Sequence, residues 1–582
     1  MLCIKTVAMK LNSKCFLWAL LIAASTCIFF LPVLRGEFLR WDDRALFVEN
    51  PYYRGLSPSH WQWMCTTVML GHWQPLSWLS YALDFKTWGM NPQGWHAVNL
   101  LLHAVNAVLV YLLCLAFLKE KRERYTVAAL AALFWAVHPL RVEAVAWLST
   151  RGYLLCGTFS LLTVLFYLQE AKRKRYPLVA LLCFTLATLT KGIGMMLPLV
   201  LLLIDWHGAG SGVQGAGSEE RGLLRKKVVE KIPFFALSFV TGVTAFLAKR
   251  ADGGMASVEI YGPVQRVGQA VYGAWFYLLK TVSPQNLSPL YEKRPELWLV
   301  LTTLLLSTAA GIFLFLFRRK VLPIIGTLGA FLLLVFPMLG ITQSGSQMFA
   351  DRFTYLAAVP FSILLAAGLA RLKPMRRIVF SALTVLLLIF GIQSAVYSNV
   401  WKNGLSLWSY AVSVDDSQSG ALNNLGIVFI GLNNYEKALG CFDKALVMRP
   451  EYADALNNRA LVRIHNGEYA LAVSDLNSAL LQNLMSDEDR ARMRLSRGIS
   501  LENLNETDSA IAEYSFVIDG PKADPGCLLK AFQMRAHARL TVGQIRGAKA
   551  DLSAMLKLPD YSKEFHRKAK KALSEIKKIP EE

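Results

Sequence analysis

The sequence predicts an all-α protein in which a polytopic bundle of about eleven membrane-spanning helices is followed by an α-solenoid. Hydrophobic residues make up 54% of the 582 residues and charged residues only 18%, whereas soluble domains carry about 25% charged residues. Several apolar runs exceed the roughly 18 residues that mark a membrane-spanning helix. After Trp401 the spacing of apolar residues changes to one typical of paired helices.

Short basic clusters such as "KEKRER" (119–124) and "KRKR" (172–175) separate the apolar runs. Because cytoplasmic loops are enriched in Lys and Arg, we expect a cytoplasmic N-terminus. An odd number of spans then places the 35–95 loop and everything after residue 400 outside, in a bacterial periplasm or an endoplasmic reticulum lumen. The net charge of +21 follows these clusters, so it predicts no nucleic-acid partner. The expected spans are 15–34, 96–118, 125–139, 153–169, 177–190, 193–206, 232–249, 296–317, 321–342, 353–370 and 376–397.

Two further features concern the membrane region. We expect the first apolar run to be an uncleaved span, and we interpret 267–282 as an interfacial or re-entrant helix, because a further span would break the charge pattern. The nine cysteines are scattered and show neither metal-ligand spacing nor a disulfide framework.

The C-terminal third contains helical repeats. In "ALNNLGIVFIGLNNYEKALGCFDKALVMRP" (421–450), Gly426, Phe429, Ala438, Phe442 and Ala445 follow the spacing of the 34-residue tetratricopeptide repeat (TPR). Small residues allow two antiparallel helices to pack closely, and the aromatic rings fill the space between them. We expect three more units, the fourth of them weaker, and then a polar capping helix in "YSKEFHRKAKKALSEIKK" (561–578). The solenoid predicts a surface for a protein or peptide partner, or a scaffold.

Seven segments of the membrane region carry a family resemblance. They are "WDDRALFVENP" (41–51), "HWQPLSWLSYALD" (72–84), "GWHAVNLLLHAVNA" (94–107), "HPLRVEAVAW" (138–147), "LTKGIGMMLPLVLLLID" (189–205), "YLLKTVSPQNLSPLY" (277–291) and "DRFTYLAAVP" (351–360). Together with the repeats, they make the chain resemble the transmembrane and tetratricopeptide repeat (TMTC-like) proteins. These belong to the GT-C superfamily of glycosyltransferases and are related to protein O-mannosyltransferases.

The resemblance implies an architecture and an activity. Residues 1–400 would form a GT-C-like domain with an active-site loop at 35–95, and 401–582 a TPR domain that binds the acceptor. The enzyme would transfer a sugar, implied to be mannose, with inversion from a polyprenyl-phosphate donor to a protein Ser or Thr hydroxyl. An acid early in the first outer loop acts as base in the related enzymes, which is the place of Asp42 and Asp43. We expect no cofactor, and we do not favour a divalent metal held by these acids with Glu143 or Asp351.

The adjacent acids also suit the chemistry independently of the resemblance. An alcohol is a poor nucleophile, and a positioned carboxylate can accept its proton as the new bond forms. A neighbouring like charge raises the pKa of one acid and makes it a better base. We favour Asp42 as the base and leave Asp43 as a second acid or metal ligand. The alternative is structural, with Asp42 capping a helix and Asp43 paired with Arg40 or Arg44.

A departing lipid phosphate needs cations. Arg352 and Lys191 are the main candidates, with Arg141 in the "HPLRVEAVAW" loop, which also supplies Glu143 as a weaker candidate acid. The alternatives are an ion pair between Arg352 and Asp351, and a Lys191 side chain that extends to the membrane interface. Many relatives carry an acid after the lysine, where this chain has Gly192, which weakens a motif-level role for Lys191.

A polar stripe lies along the second span. His96, Asn99, His103 and Asn106 fall on one face of a helix. Such a stripe is costly against lipid, so it lines a cavity or supplies hydrogen bonds between helices. His96 is the candidate substrate-binding residue, because it lies nearest the outer surface.

Two other functional classes remain open. A TPR membrane scaffold without catalysis would use the bundle only as an anchor, although one span would suffice for that. A transporter of a lipid-linked glycan predicts internal inverted repeats and ionisable groups near the midplane. We find no such repeat in the sequence, and the candidate acids lie at the outer edge.

Overall fold

Ten stretches of the chain are described by the computed structural model. They run over 13–118, 123–173, 175–209, 227–252, 262–341, 347–372, 376–482, 486–520, 523–558 and 563–576. Helices form almost all of their regular structure, and β-pairing within them is limited to two isolated bridges, Met69 with His72 and Tyr291 with Phe349. The predicted all-α class is confirmed.

The chain divides into two compact units between Val414 and Asp415. The helix Gly404–Val414, which we expected within the C-terminal domain, lies in the first unit. The described α-helices of the first unit, α1 to α17, are Ser13–Phe30, Pro58–Thr66, Pro75–Trp88, Pro92–Phe117, Arg124–Ala136, Val142–Ala146, Arg151–Lys172, Leu178–Thr190, Leu197–Ala209, Ile232–Ala251, Pro263–Val282, Leu297–Leu316, Leu322–Val335, Thr354–Ala357, Val359–Leu369, Arg376–Val400 and Gly404–Val414.

Six described helical segments are long and apolar enough to cross a membrane, or eight if two bent helix pairs each count as one span. The six are Ser13–Arg35, Pro92–Phe117, Leu148–Lys172, Lys227–Ala251, Leu297–Leu316 and Arg377–Val400. The other three of our eleven expected spans are shorter apolar helices, over Leu178–Thr190, Gly192–Trp206 and Leu322–Met338. The count of eleven full spans is therefore not supported by length and composition. The 267–282 segment lies within α11, which is not among the candidate spans.

Prolines explain both bent pairs. The bend of 58° after α5 falls at Pro139, and the bend of 53° before α15 falls next to Pro360. Proline lacks the amide hydrogen that would continue the helix, so it is favoured at the first positions of the next helix. At the first bend His138 accepts a hydrogen bond from the backbone N–H of Leu140 (3.2 Å). The breaks place the 138–150 and 347–353 segments beside each other.

The segment between α1 and α4 folds on an aromatic core. Phe47, Tyr53, Trp78, Tyr81 and Trp95 are all buried in one cluster. Such large rings bury much apolar surface and so contribute strongly to the stability of this segment. This core supports the 41–46 backbone, which carries both acids.

One buried arginine joins three helices below this core. Arg151, the first residue of α7, donates from Nε to Asn99 Oδ1 (2.7 Å) and from Nη2 to the Trp95 carbonyl (2.9 Å), both on α4. It also forms an ion pair with Asp84 on α3, and its guanidinium lies 4.9 Å from the centre of the Tyr81 ring. A buried cation with a carboxylate and several acceptors holds its neighbours in fixed positions.

The second unit is a solenoid of four helix pairs and a final helix. The described helices, α18 to α26, are Ser419–Gly431, Tyr435–Met448, Ala453–His465, Tyr469–Leu480, Asp487–Asn503, Thr507–Asp519, Pro525–Thr541, Ile545–Lys557 and Lys563–Ile576. A Cβ at Gly426 would lie 2.5 Å from the Phe442 ring, which explains why a small residue is needed there. The weak fourth unit forms a complete pair, and α26 packs on it through Ala569 and Ile576. All four predicted repeats are confirmed.

Candidate active site

A polar cleft opens in the first unit, at the loop that carries the adjacent acids. It encloses about 420 Å³ of empty space, counting the open solvent at its mouth. Five parts of the chain form it: the 42–46 segment, the 69–74 turn, the 147–153 segment, and the side chains of Lys191 and Arg352. The lining residues are Asp42, Leu46, Met69, Leu70, His72, Gln74, Trp147, Ser149, Thr150, Tyr153, Lys191 and Arg352.

The carboxylate of Asp42 lies in this cleft. Within the described part of the chain it makes no hydrogen bond and no ion pair. Burial raises the pKa of this carboxyl above its ordinary value, although the nearby cations Arg352, Lys191 and Lys249 act to lower it. The helix-capping role considered for Asp42 is not observed. Its carboxylate is left available to a ligand and lies in a positive environment.

Asp43 is placed differently. It is completely buried, and one carboxylate oxygen accepts the backbone N–H of Leu39 (3.0 Å). The other accepts the backbone N–H of Ser149 (3.1 Å) and the Ser149 hydroxyl. Burial raises the pKa of Asp43 to about 7, and the charge of Asp42 adds to this, against the effect of the hydrogen bonds. Asp43 therefore fixes the loop that presents Asp42. The alternative pairing with Arg40 or Arg44 is not observed among the described residues, and Arg44 bonds to Glu49 instead (2.6 Å).

Arg352 reaches the cleft from the 351–353 turn. Its guanidinium pairs with Glu143, and its backbone N–H donates to the same carboxylate (2.8 Å). The expected alternative, a pair with Asp351, is wrong. The guanidinium also lies 5.2 Å from the centre of the Trp147 ring. Glu143 is thus the partner that orients Arg352 and does not itself line the cleft.

Lys191 lies at the junction of α8 and the short helix Gly192–Met196. Its side chain is buried rather than extended to the membrane interface, and its ammonium lies 4.8 Å from the centre of the Tyr153 ring. Among the described residues it has no carboxylate within ion-pair distance. Together with Arg352 it gives the cleft two cations on the side of Tyr153.

Two predicted substrate-binding residues lie outside the lining of the cleft. The ring of His96 is buried against Gly36, where any side chain would collide with it. Arg141 donates to the carbonyl of Thr354 (2.7 Å) and to its hydroxyl (3.0 Å). Both side chains are therefore packed into the fold and do not face the cleft. The sequence places these residues near the outer surface, but it does not say which distant segments pack against their side chains.

The rest of the polar stripe joins helices. Asn99 donates to the carbonyl of Val145 (3.1 Å), and Asn106 donates to the carbonyl of Leu154 (2.9 Å). The ring of His103 bonds to the Tyr355 hydroxyl (2.9 Å). For these three residues the alternative of interhelical hydrogen bonding is the observed one.

His72, Gln74 and Lys249 were not among the predicted site residues. The first two belong to the "HWQPL" segment, to which we had assigned no role. Leu70 and Gly71 form a tight turn with φ of 50° and 68°, and the Lys249 ammonium donates to the Leu70 carbonyl (2.9 Å). The positive φ at Leu70 is unusual for a residue with a side chain, and such conformations are retained where the surroundings require them.

Metal binding has no further support here. Among the described residues, no group of three or more His, Cys, Asp or Glu side chains is arranged to hold a metal ion. That the protein works without a metal stays a prediction.

Fold and site together define a class of protein: a bundle of apolar helices with a cation-lined cleft containing a free carboxylate, joined to a TPR solenoid. The family model described as a tetratricopeptide repeat matches residues 423–488. The chain is 33% identical over 193 residues to "Protein O-mannosyl-transferase TMTC1" of Mus musculus, covering 31% of this chain and 20% of that protein. It is 28% identical over 195 residues to "Protein O-mannosyl-transferase F38B6.6" of Caenorhabditis elegans, covering 32% and 28%.

A third relative is "Protein O-mannosyl-transferase Tmtc1" of Drosophila melanogaster, 33% identical over 178 residues, with 28% of this chain and 20% of that protein covered. The matches thus span between a fifth and somewhat over a quarter of these relatives. The predicted resemblance to TMTC-like proteins is confirmed. Among solved structures, the TPR protein YrrB is 22% identical, covering 34% of this chain and 92% of that one, with a TM-score of 0.25.

Proposed function

We propose that this protein is a membrane glycosyltransferase that transfers mannose from a polyprenyl-phosphate donor to the hydroxyl of a protein Ser or Thr. The observation that carries the proposal is the unpaired Asp42 carboxylate in a cleft shared with Lys191 and Arg352. The names of the relatives, protein O-mannosyl-transferases, support both the sugar and the protein acceptor. The TPR solenoid supports a peptide or protein partner.

Three side chains take part in the transfer. Asp42 accepts the proton of the acceptor hydroxyl while the oxygen forms a bond to the anomeric carbon of the sugar. The bond between that carbon and the donor phosphate breaks, and the sugar is inverted at this centre. The lipid phosphate leaves with the electron pair, and Lys191 and Arg352 stabilise its negative charge. Neither a cofactor nor a metal enters this sequence of events.

The other residues of the site hold this arrangement. Glu143 orients the guanidinium of Arg352, and Asp43 ties the Asp42 loop to Ser149. The reaction takes place on the outer or lumenal face, with the TPR unit on that side to bind the acceptor. The basic clusters between apolar segments support this orientation.

The experiment is a transfer assay with matched variants. Membranes containing the protein are incubated with radiolabelled polyprenyl-phosphate mannose and protein acceptors, and incorporated label is compared for wild type, Asp42→Asn and Glu49→Gln. Glu49 lies on the same segment, and its side chain is 55% exposed in a pair with Arg44. We expect Asp42→Asn to lose about 10²- to 10⁴-fold of the rate, with Glu49→Gln unchanged.

The outcomes separate the alternatives. Transfer that survives Asp42→Asn at full rate would show that another group is the base. Wild-type protein that transfers no sugar, with donors and acceptors varied, would favour the TPR scaffold instead.

A further inference from the structure

One wall of the cleft is built from the turn that follows α2. Within "HWQPL", His72 and Gln74 line the cleft, whereas Trp73 between them does not. The indole of Trp73 donates instead to the carbonyl of Cys65 (2.7 Å). In the segment between α2 and α3, His72 and Gln74 therefore contribute polar side chains to the cleft, and the side chain of Trp73 between them anchors the turn.

In the part of the chain that the structure describes, these two polar side chains have no hydrogen-bond partner. Among the described residues, none forms a hydrogen bond with the imidazole of His72 or with the side-chain amide of Gln74. Gln74 is nevertheless only 4% exposed. Buried polar side chains are almost always hydrogen-bonded, so groups left open inside a cleft indicate that a ligand or ordered water completes them.

The chemistry of the two side chains differs from that of the cations in the cleft. Burial holds the pKa of His72 well below its ordinary value, and Lys191, Lys249 and Arg352 add to this shift. A neutral imidazole offers one donor and one acceptor, and a carboxamide offers two donors and one acceptor. Hydroxyl groups both donate and accept, whereas an ionised phosphate only accepts. The pair therefore suits a polyhydroxyl ligand, and Lys191 and Arg352 suit the phosphate.

We propose that His72 and Gln74 bind hydroxyl groups of the transferred sugar and so determine which sugar the enzyme accepts. This inference rests on the proposed function and deepens it. His72 and Gln74 line the same cleft as Asp42, Lys191 and Arg352, so a sugar bound by the first two side chains shares that space with the base and with the cations for the phosphate. A site built to hydrogen-bond a hydroxyl discriminates strongly against an analogue that lacks it, because its own polar groups are then left unpaired.

The test is a double-mutant cycle between protein and donor. The variants are His72→Phe and Gln74→Leu, and the donors are polyprenyl-phosphate mannose and its 2-, 3-, 4- and 6-deoxy forms. For wild type we expect at least one deoxy donor to lower kcat/KM about 5- to 100-fold, the range that an unpaired polar group implies. In the variant whose side chain contacts that hydroxyl, the same deoxy donor should change kcat/KM less than about threefold, since the interaction is already lost.

A matched control comes from the same region. His60→Phe replaces a partly exposed histidine outside the lining of the cleft, whose ring bonds to Ser57 (2.5 Å). This variant should keep the wild-type order of preference among the donors. His72→Asn retains a neutral donor and acceptor, so it should recover part of the discrimination that His72→Phe loses. Thermal unfolding of each variant shows whether it is folded.

Each result is decisive. Folded His72→Phe and Gln74→Leu variants that keep the wild-type preference among deoxy donors would overturn this inference while leaving the glycosyltransferase in place. Wild-type protein that transfers no sugar from any donor would overturn the proposed function and this inference with it. Loss of discrimination at one hydroxyl in one variant only would assign that hydroxyl to that side chain.

Discussion

The buried carboxyl of Asp43 should make the stability of the protein depend on pH, and Asp43→Asn should remove that dependence. The folded-state pKa is raised to about 7, whereas the ordinary value is 3.8. Between these two pH values the folded protein holds a proton that the unfolded chain has released. Stability contributed by this group is therefore fully present below about pH 4 and falls as pH rises to about 7.

The magnitude follows from the size of the shift. Raising the pKa from 3.8 to about 7 corresponds to about 4 kcal/mol of unfolding free energy across the window. Asp43 is completely buried, so solvent screening does not reduce this figure. The cause is physical: burial penalises the charged form more than three hydrogen bonds from Leu39 and Ser149 favour it.

Denaturant unfolding of the purified protein in detergent, at pH 4.5, 6 and 7.5, provides the assay. Relative to wild type, Asp43→Asn should gain stability as pH rises, by about 4 kcal/mol over the full window. Glu49→Gln is the control, because its exposed carboxylate belongs to the same segment and should leave the slope unchanged. Parallel pH profiles for wild type and Asp43→Asn would refute the reasoning, since they would mean that Asp43 is ionised as easily in the fold as in the unfolded chain.

Three more predictions concern the base, the buried arginine and the solenoid. The rate of single-turnover transfer should fall as pH is lowered. Because the pKa of Asp42 is raised, the midpoint of that fall should lie above the ordinary carboxyl range of about 4. A midpoint at or below that range would contradict the assignment of Asp42 as the base. Arg151→Met should destabilise the first unit by about 3–5 kcal/mol, because it leaves Asp84 buried without its partner; adding Asp84→Leu should restore much of this loss in thermal unfolding. Gly426→Ala should destabilise the solenoid by about 1–3 kcal/mol through overpacking. Gly440 has open space around it, so Gly440→Ala should stabilise the solenoid by up to about 1 kcal/mol. Equal effects of the two variants in thermal denaturation would refute the packing argument.

Part of the candidate site was predictable from the sequence because its residue types serve one chemistry. Asp42, Lys191 and Arg352 were selected as a base and two phosphate contacts, and the structure brings all three into one cleft. The signal for His72 and Gln74 was present in "HWQPL", but a motif does not say which side chains face a ligand. His96 and Arg141 were polar residues on suitable loops or helix ends, and the fold uses them elsewhere.

The two acids show why the remainder could not be predicted. Asp42 and Asp43 are adjacent and chemically identical in sequence, yet one lies free in the cleft and the other is fixed by Ser149, which is 106 residues away. Arg352 and its partner Glu143 are likewise far apart, separated by 209 residues. Sequence proximity had suggested Asp351 as the partner of Arg352. Neither pairing leaves a local pattern in the chain.

By itself the sequence determined the helical class, most of the apolar segments and the TPR register. These depend on the 3.6-residue period, on proline positions and on the alternation of small and aromatic residues, which are local properties of a chain. Only the tertiary structure decided which charges meet, which acid stays unpaired and which apolar segments have the length of a full span. Those outcomes depend on the directions of side chains brought together from distant segments, where burial favours arrangements in which polar groups are hydrogen-bonded.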